Sequence, residues 1–360
     1  MNQVFRLHRV IIPLLVLGIL GFPLGTPYAA SLRDQMIAKA KQEGQFVIGG
    51  SSADNIRDEL KGFKKKYPFL TIKALAANTG DTINRVVAEA KAGKPSIDLP
   101  AVSSDGLELL AKRNLLQKME FPHLKDFTAG TQPKHGLYVQ AFLNPRVQGV
   151  YNTDLVSPND VPKSWEDMTD PKWTGKTMLS RSSEEFPAQL AFLWSQGGKL
   201  NWERSFAFFT KLAKQKPMIG RGYRGGTKRV AAGEVDIFWF PAVGPAARLA
   251  GRGAPVGLVA FPKFTGTFRS FGVLKGAQHP ASAWLLIDYL TSPEGQFEYT
   301  DVISGKVNVN KKAKTGKLGK WLVQQNATVE NTVPLDAEIV FDDKIQKKSE
   351  TFFFKLLGIK

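Results

Sequence analysis

Apolar positions along this chain change spacing repeatedly, from unbroken runs to intervals of three and four. Runs of that kind read as buried strands, and the spaced positions as one face of a helix. Residues 45–50 form the first run. Ile56, Leu60, Phe63 and Tyr67 then share a helix face that Pro68 stops, and 70–75 is the next run. Asp81 can cap a helix carrying Ile83, Val86, Val87 and Ala90, closed by Gly93 and Pro95. Residues 97–102 are strand-like, and Asp105 with Glu108 has the spacing of a capping box before Leu107 and Leu110. Strand and helix in alternation predict an α/β fold whose sheets are mixed, mostly parallel and flanked by helices.

Around 138–152 the pattern changes to two extended runs separated by Asn144-Pro145. The α/β rhythm then resumes with a strand at 177–179, a second capping-box spacing at Ser182 and Glu185, and a helix through Trp202, Phe206, Phe209 and Ala213. Residues 235–240 read as a strand, 257–274 as a return crossing, and Ala283, Leu286, Ile287 and Leu290 as one more helix face. About 330 residues beyond the leader exceed what one core usually serves, so two lobes are expected. Residues 31–145 and 270–360 are assigned to the first lobe and 146–269 to the second, with hinges near 138–152 and 257–274.

The first thirty residues differ from the rest. Arg6, His8 and Arg9 precede an apolar run from Val10 to Leu20, and small, turn-prone residues follow as far as Ala30. This is the order of a secretory signal peptide over 1–30, and the run is shorter than the roughly 20 residues of a membrane-spanning anchor. The chain contains no cysteine, which excludes disulfides, thiolate metal sites, cysteine nucleophiles and a lipid anchor at the cleavage point. The expected location is free in the periplasm.

Charge narrows the partners. Lys and Arg outnumber Asp and Glu by 49 to 32, and loss of Arg6 and Arg9 with the leader still leaves +15. Such an excess raises nucleic acid as a partner, but the lysines are spread along the chain. Only Lys64-Lys65-Lys66 and the stretch from Lys311 to Lys320 form runs, without interleaved aromatics. A field that attracts small anions is the better use, and a monomer without nucleic acid is expected.

The stretch Val150-Tyr151-Asn152-Thr153-Asp154-Leu155-Val156, with Pro162-Lys163-Ser164-Trp165 through Trp173-Thr174-Gly175-Lys176, resembles the central signature of ABC-importer solute-binding proteins. The branch includes the ferric-ion binders. Ala231-Ala232-Gly233-Glu234 and the stretch ending Ser292-Pro293-Glu294-Gly295-Gln296 are similar to later family blocks. The resemblance implies a two-lobed type 2 periplasmic-binding fold with a double crossover hinge, a solute held between the lobes, and delivery to an ABC permease in the inner membrane. It implies no cofactor and no catalysis.

In open α/β sheets ligands gather at the carboxyl ends of strands, beside helix starts. Three first-lobe loops lie at such ends: Ser51-Ser52, Asn78-Thr79 and Ser103-Ser104. Each also reads as an ordinary N-cap. In the second lobe, Arg181 follows a strand, and Gly220-Arg221-Gly222-Tyr223-Arg224-Gly225-Gly226-Thr227 opens a short helix that Thr227 can cap. Arg221, Tyr223, Gly225, Gly226 and Thr227 are therefore candidates for a small anion, against the alternative of a solvated basic loop. Tyr151 and Trp239 complete the expected ligand-binding set.

Ferric members of the resembled family hold iron partly through two adjacent tyrosines after the Ala-Gly-Glu block. Here that region reads Phe238-Trp239-Phe240-Pro241-Ala242-Val243-Gly244-Pro245, which offers no anionic oxygen to hard Fe³⁺. No metal site is expected, although ferric iron or an iron chelate stays open as the solute. An exported sensor module or an enzyme are the readings from other classes. Against an enzyme, His123, His135 and His279 have no metal spacing, no G-x-S-x-G elbow occurs, and helix capping accounts for Glu184-Glu185.

Overall fold

A computed structural model describes residues 31–133, 135–335 and 342–359, so the leader expected over 1–30 lies outside the described residues. The chain enters on α1 (Leu32–Glu43), where Ser31 and Asp34 form a capping box. β1 (Gln45–Gly49), β2 (Thr71–Leu75) and β3 (Leu99–Ser103) follow, with β1 parallel to both neighbours. The helices between them are α2 (Ala53–Glu59), α3 (Lys61–Lys66) and α4 (Thr79–Lys91), and α5 (Ser104–Lys112) comes after β3. The single helix expected through Ile56 and Tyr67 is thus two. Leu60 breaks it with a ψ of 73°, outside the helical region. The apolar spacing survives the break, because Ile56, Leu60, Phe63 and Tyr67 all enter one core.

Two long strands organise the rest. β4 (Leu116–Gln117) is short; β5 (Val139–Arg146) is long and leads through a turn into β6 (Gly149–Asn152). The first sheet has the order β13 (Val307–Asn308), β5, β11 (Phe264–Phe271), β3, β1, β2, with β14 (Thr332–Pro334) beside the start of β11. The second has the order β10 (Val256–Val259), β6, β9 (Ile237–Trp239), β7 (Thr177–Ser180), β8 (Met218–Gly220). β7 is parallel to β8 and β9, whereas β6 is antiparallel to both its neighbours. Short β12 (Val273–Leu274) pairs with β4.

β5 and β11 pair antiparallel from Val139↔Phe271 to Arg146↔Thr265. Val139 and Phe271 belong to the first core; Val147 and Phe264, at the other ends, pack with Val150, Phe238 and Val256 of the second sheet. The two strands therefore carry the chain between two α/β lobes. α6 (Phe186–Leu193), α7 (Trp202–Lys214), α8 (Tyr223–Ala231) and α9 (Val243–Ala250) flank the second sheet.

α10 (Pro280–Thr291) is buried from Ala281 to Thr291 and lies against α1 and β1. α11 (Pro293–Phe297) runs into a π-helix, Glu298–Ser304, and α12 (Lys317–Gln324) packs on it. The assignment of 270–360 to the first lobe does not match the packing of α13 (Asp343–Leu357). Its contacts are with α6 and α7. Phe352 stacks on Phe206 at 3.8 Å and Phe353 enters the second lobe's core. The Phe352-Phe353-Phe354 run needs an apolar partner, and the aromatic face of α6 and α7 supplies one.

Candidate functional site

A cavity of about 760 Å³ opens between the lobes over the two crossing strands, a size suited to a small molecule. Asn144 and Arg146 of β5, Thr267, Phe268 and Arg269 of β11, and Lys306 make its floor. The first lobe lines one wall with Thr79, Gly80, Ile83 and Asn84 at the start of α4 and with Ser103, Asp105 and Glu108 around the start of α5. Glu185, Asp342 and Asp343 face them from the α6 and α13 side.

Arg269 is placed by a β-bulge. The register of β11 against β5 shifts between Arg269 and Ser270, and a bulge of this kind re-aims a side chain. Arg269 lies opposite Ser103 of β3; its Nη1 donates to the Ala101 carbonyl at 3.0 Å, while its buried Nε has no partner. Burial lowers its pKa, against the opposing pull of Tyr299 and Asp105.

Arg146 is held by an ion pair, Nη2 to Glu185 Oε1 at 3.0 Å, with the two side chains only 13% and 21% exposed. Its guanidinium also lies over the Phe186 and Tyr223 rings at 5.8 and 5.6 Å, within cation–π range. Burial works against its charge, but Glu185 and Tyr223 outweigh it and raise the pKa. Its Nε is a second buried donor without a partner.

Lys306 follows Gly305, the left-handed residue (φ 63°) that ends the π-helix. Insertions of this kind recur at functional sites. Lys306 Nζ lies 5.2 Å from the Tyr299 ring centre, and that ring stacks on Phe142 at 4.2 Å. Burial, then Arg269, Arg248 and Arg146, hold the Lys306 amine well below its ordinary pKa. On the wall, burial raises the pKa of Asp105, whose Oδ1 is buried without a partner.

The expected site residues divide. Thr79 and Ser103 line the cavity, with their hydroxyl oxygens 3.2 Å apart. Asn78 caps α4 by accepting from the Asp81 amide at 2.8 Å, so Asn78 rather than Asp81 is the cap. Ser104 is buried at the start of α5; Ser52 is buried before α2, beside the Tyr299 hydroxyl; Ser51 is an exposed turn residue. Tyr223 reaches the floor by its contact with Arg146, and its hydroxyl donates to the Ser182 carbonyl.

Several others lie off the cavity lining. Arg181 and Arg221 are exposed, and Arg181 stacks over the Phe354 ring at 5.8 Å. Thr227 does not cap α8; it sits one turn inside and donates to the Tyr223 carbonyl at 2.9 Å. Gly226 packs on Phe238, and Gly225 is exposed. Trp239 is fully buried in the second core and packs over Gly149. Tyr151 packs over Gly257, across the β6–β10 pair.

Neither expected capping box forms. Glu108 accepts instead from the Tyr138 hydroxyl and lies 3.0 Å from His135 Nε2, and Glu185 pairs with Arg146. The residues that sequence reasoning missed are Arg146, Arg269, Lys306, Asn144 and Thr267. Arg269 did leave a signal: it is the one charged residue between Phe264 and Leu274, a run otherwise apolar, glycine or hydroxyl. An ionic side chain in such a strand has to meet a partner, solvent or a ligand.

Two α/β lobes, joined by a pair of crossing strands and separated by a polar cleft, form an architecture with room for a solute between them. Residues 60–331 match the bacterial extracellular solute-binding protein family, and the chain belongs to that family, whose members are binding proteins of ABC transporters in the periplasm. It is 25% identical over 269 residues to the Fe(3+)-binding periplasmic protein of Serratia marcescens, covering 72% of this chain and 77% of that one. Among solved structures it is similar to the periplasmic binding protein AfuA of Actinobacillus pleuropneumoniae, with fructose-6-phosphate bound, at a TM-score of 0.68 and 18% identity over 88% of this chain and 100% of that one. Iron-bound HitA of Pseudomonas aeruginosa is similar at a TM-score of 0.66 and 20% identity, over 87% and 99% of the two chains. At these identities the two structures speak for the type 2 periplasmic-binding fold alone.

Proposed function

We propose that this protein captures a small anionic solute in the cleft over β5 and β11 and delivers it to an ABC permease. The observation that carries the reading is the floor itself. Arg146, Arg269 and Lys306 converge there, and the two guanidinium groups present buried Nε donors without partners. Unpaired buried donors are costly to a folded protein, and a bound oxyanion is the natural acceptor for them. Hydroxyls of Thr79 and Ser103 on the wall add neutral donors beside the charged ones.

Bare ferric iron fits less well. The Phe238 to Pro245 segment supplies no tyrosinate, and the floor would repel a cation. A ferric chelate that is itself an anion remains compatible with the same floor.

The test is thermal unfolding of the leaderless chain against small carboxylates, phosphates, phosphonates, ferric citrate, amines and neutral polyols. An anion at about 100 times its dissociation constant is expected to add about 2.7 kcal/mol of stability. Stabilisation by amines or bare Fe³⁺ alone would overturn the reading.

A further inference from the structure

The charges on the cleft floor do not balance, and the imbalance points to the head group of the solute. Arg146 is matched by Glu185 at 3.0 Å. Arg269 meets only the Ala101 carbonyl. Lys306 has neither a hydrogen bond nor an ion pair among the described residues; the face of Tyr299 is its polar neighbour. We propose that Lys306 makes the cleft selective for a doubly charged oxyanion group, a phosphate monoester or a phosphonate, over singly charged anions. This rests on the anion reading above.

The surroundings of Lys306 explain why. β5 presents Arg146 to it, β11 presents Arg269, and α9 presents Arg248, whose Nη1 donates to the Ser304 carbonyl at 2.8 Å. The π-helix presents the Tyr299 phenol, and α12, packed on β13, brings Lys317 and Lys320 and no acid. Carboxylates share the cavity, but none pairs with the amine among the described residues. Asp105 acts on Arg269, Glu185 on Arg146, Glu108, Asp342 and Asp343 line the walls, and Asp301 of the π-helix accepts from the Gly316 and Gly319 amides. Set beside three guanidinium groups and partly withdrawn from solvent, the amine gives up its proton more readily than an ordinary lysine.

A singly charged anion is answered by Arg269 and leaves that amine as it was. A second negative charge on the same group raises the amine's pKa, so the ammonium form is held more firmly and protons are taken up from solvent on binding. No other bond changes. The second charge is thereby answered inside the cleft rather than left bare.

The pH dependence follows in sign. A phosphate monoester loses its second proton near about pH 6, so affinity falls below that value as the head group becomes singly charged. It also falls at higher pH, as the solution passes the pKa of the amine in the complex and proton uptake is lost. Preference for the dianion is greatest between these limits.

Calorimetry with methyl phosphate and dimethyl phosphate separates the two charge states at nearly constant shape. Measured at about pH 8 in two buffers of different ionisation enthalpy, methyl phosphate is expected to bind at least about tenfold more tightly. It should take up protons on binding, and dimethyl phosphate none. Lys306→Met should bring methyl phosphate down to the affinity of dimethyl phosphate and abolish proton uptake. Lys306→Arg, which carries a fixed charge, should keep the preference without the uptake. Preference and uptake that persist in Lys306→Met would overturn the proposal. Equal binding of both phosphates by the wild type would also overturn it while leaving the anion reading intact. Binding of neither by the wild type would overturn the proposal, while the anion reading stands or falls on the carboxylates and chelates of the thermal screen.

Discussion

The floor of the cleft and the loop Gly220–Thr227 both carry positive charge, yet only the floor holds it out of water. Arg221 and Arg224 are exposed, and neither forms an ion pair among the described residues. Their charge is dispersed by solvent and ions within about 8 Å at physiological salt. Arg269 instead lies between two sheet neighbours, β3 and β5, with one buried nitrogen idle. A solvated arginine costs folding little and contributes little to a ligand. A desolvated arginine without a partner costs folding more, and the ligand that supplies its partner recovers that cost on binding. Burial without a partner, rather than basic character, marks the site.

The largest expected effect tests that distinction directly. Arg269→Met should weaken binding of the anion found by thermal screening about 100-fold, because two charge-assisted hydrogen bonds are lost at about 1.5–3 kcal/mol each, partly offset by water. The same substitution should leave the melting temperature of the unliganded protein unchanged or higher, since it removes a desolvated charge that forms no ion pair among the described residues. Calorimetry and thermal unfolding of one preparation give both numbers. Parallel losses of stability and affinity would make Arg269 a structural residue and dissolve the contrast.

A smaller effect sharpens the loop's side of the comparison. A Cβ on Gly226 would lie 2.4 Å from the Phe238 ring, whereas one on Gly225 meets nothing within 4 Å. Gly226→Ala should therefore cost about 1–3 kcal/mol through overpacking, and Gly225→Ala should gain up to about 1 kcal/mol of helix propensity in α8. Neither should change anion affinity. Urea unfolding with a parallel binding titration checks both, and a loss of affinity in Gly225→Ala would return this loop to the ligand.

How much of this was legible in the sequence follows from the range of the forces involved. The strands and helices were readable because Phe46, Ile48, Ile83 and Leu107 repeat at local spacings that burial imposes. Thr79 and Ser103 were readable for a similar reason, since the end of a strand before a helix is a local feature. The floor was not. Arg146 and Arg269 are brought side by side by the β5–β11 ladder, and Lys306 by β13 pairing with β5. Those contacts join residues more than a hundred positions apart, and no local period encodes them. Glu185 misled for the opposite reason: its spacing from Ser182 satisfied a local motif, and a distant arginine claimed it.

The smallest expected effect belongs to Arg181 and Arg221, the two arginines that spacing alone placed at the solute. Arg181 lies over Phe354 of α13 and Arg221 is exposed beside Gly222, so neither reaches the floor except through its field. Arg181→Ala and Arg221→Ala should each weaken anion binding by less than about twofold, the scale of an exposed charge acting at a distance. Salt separates a field from a contact. The Debye length falls from about 30 Å at 0.01 M to about 3 Å at 1 M, so whatever loss appears at low salt should vanish at high salt in both variants. Arg269→Met should keep most of its loss across the same range, because a desolvated contact is screened far less. A tenfold loss in Arg221→Ala that survives at about 1 M salt would mean that the loop closes onto the solute, and the cleft would then have to be redrawn to include it.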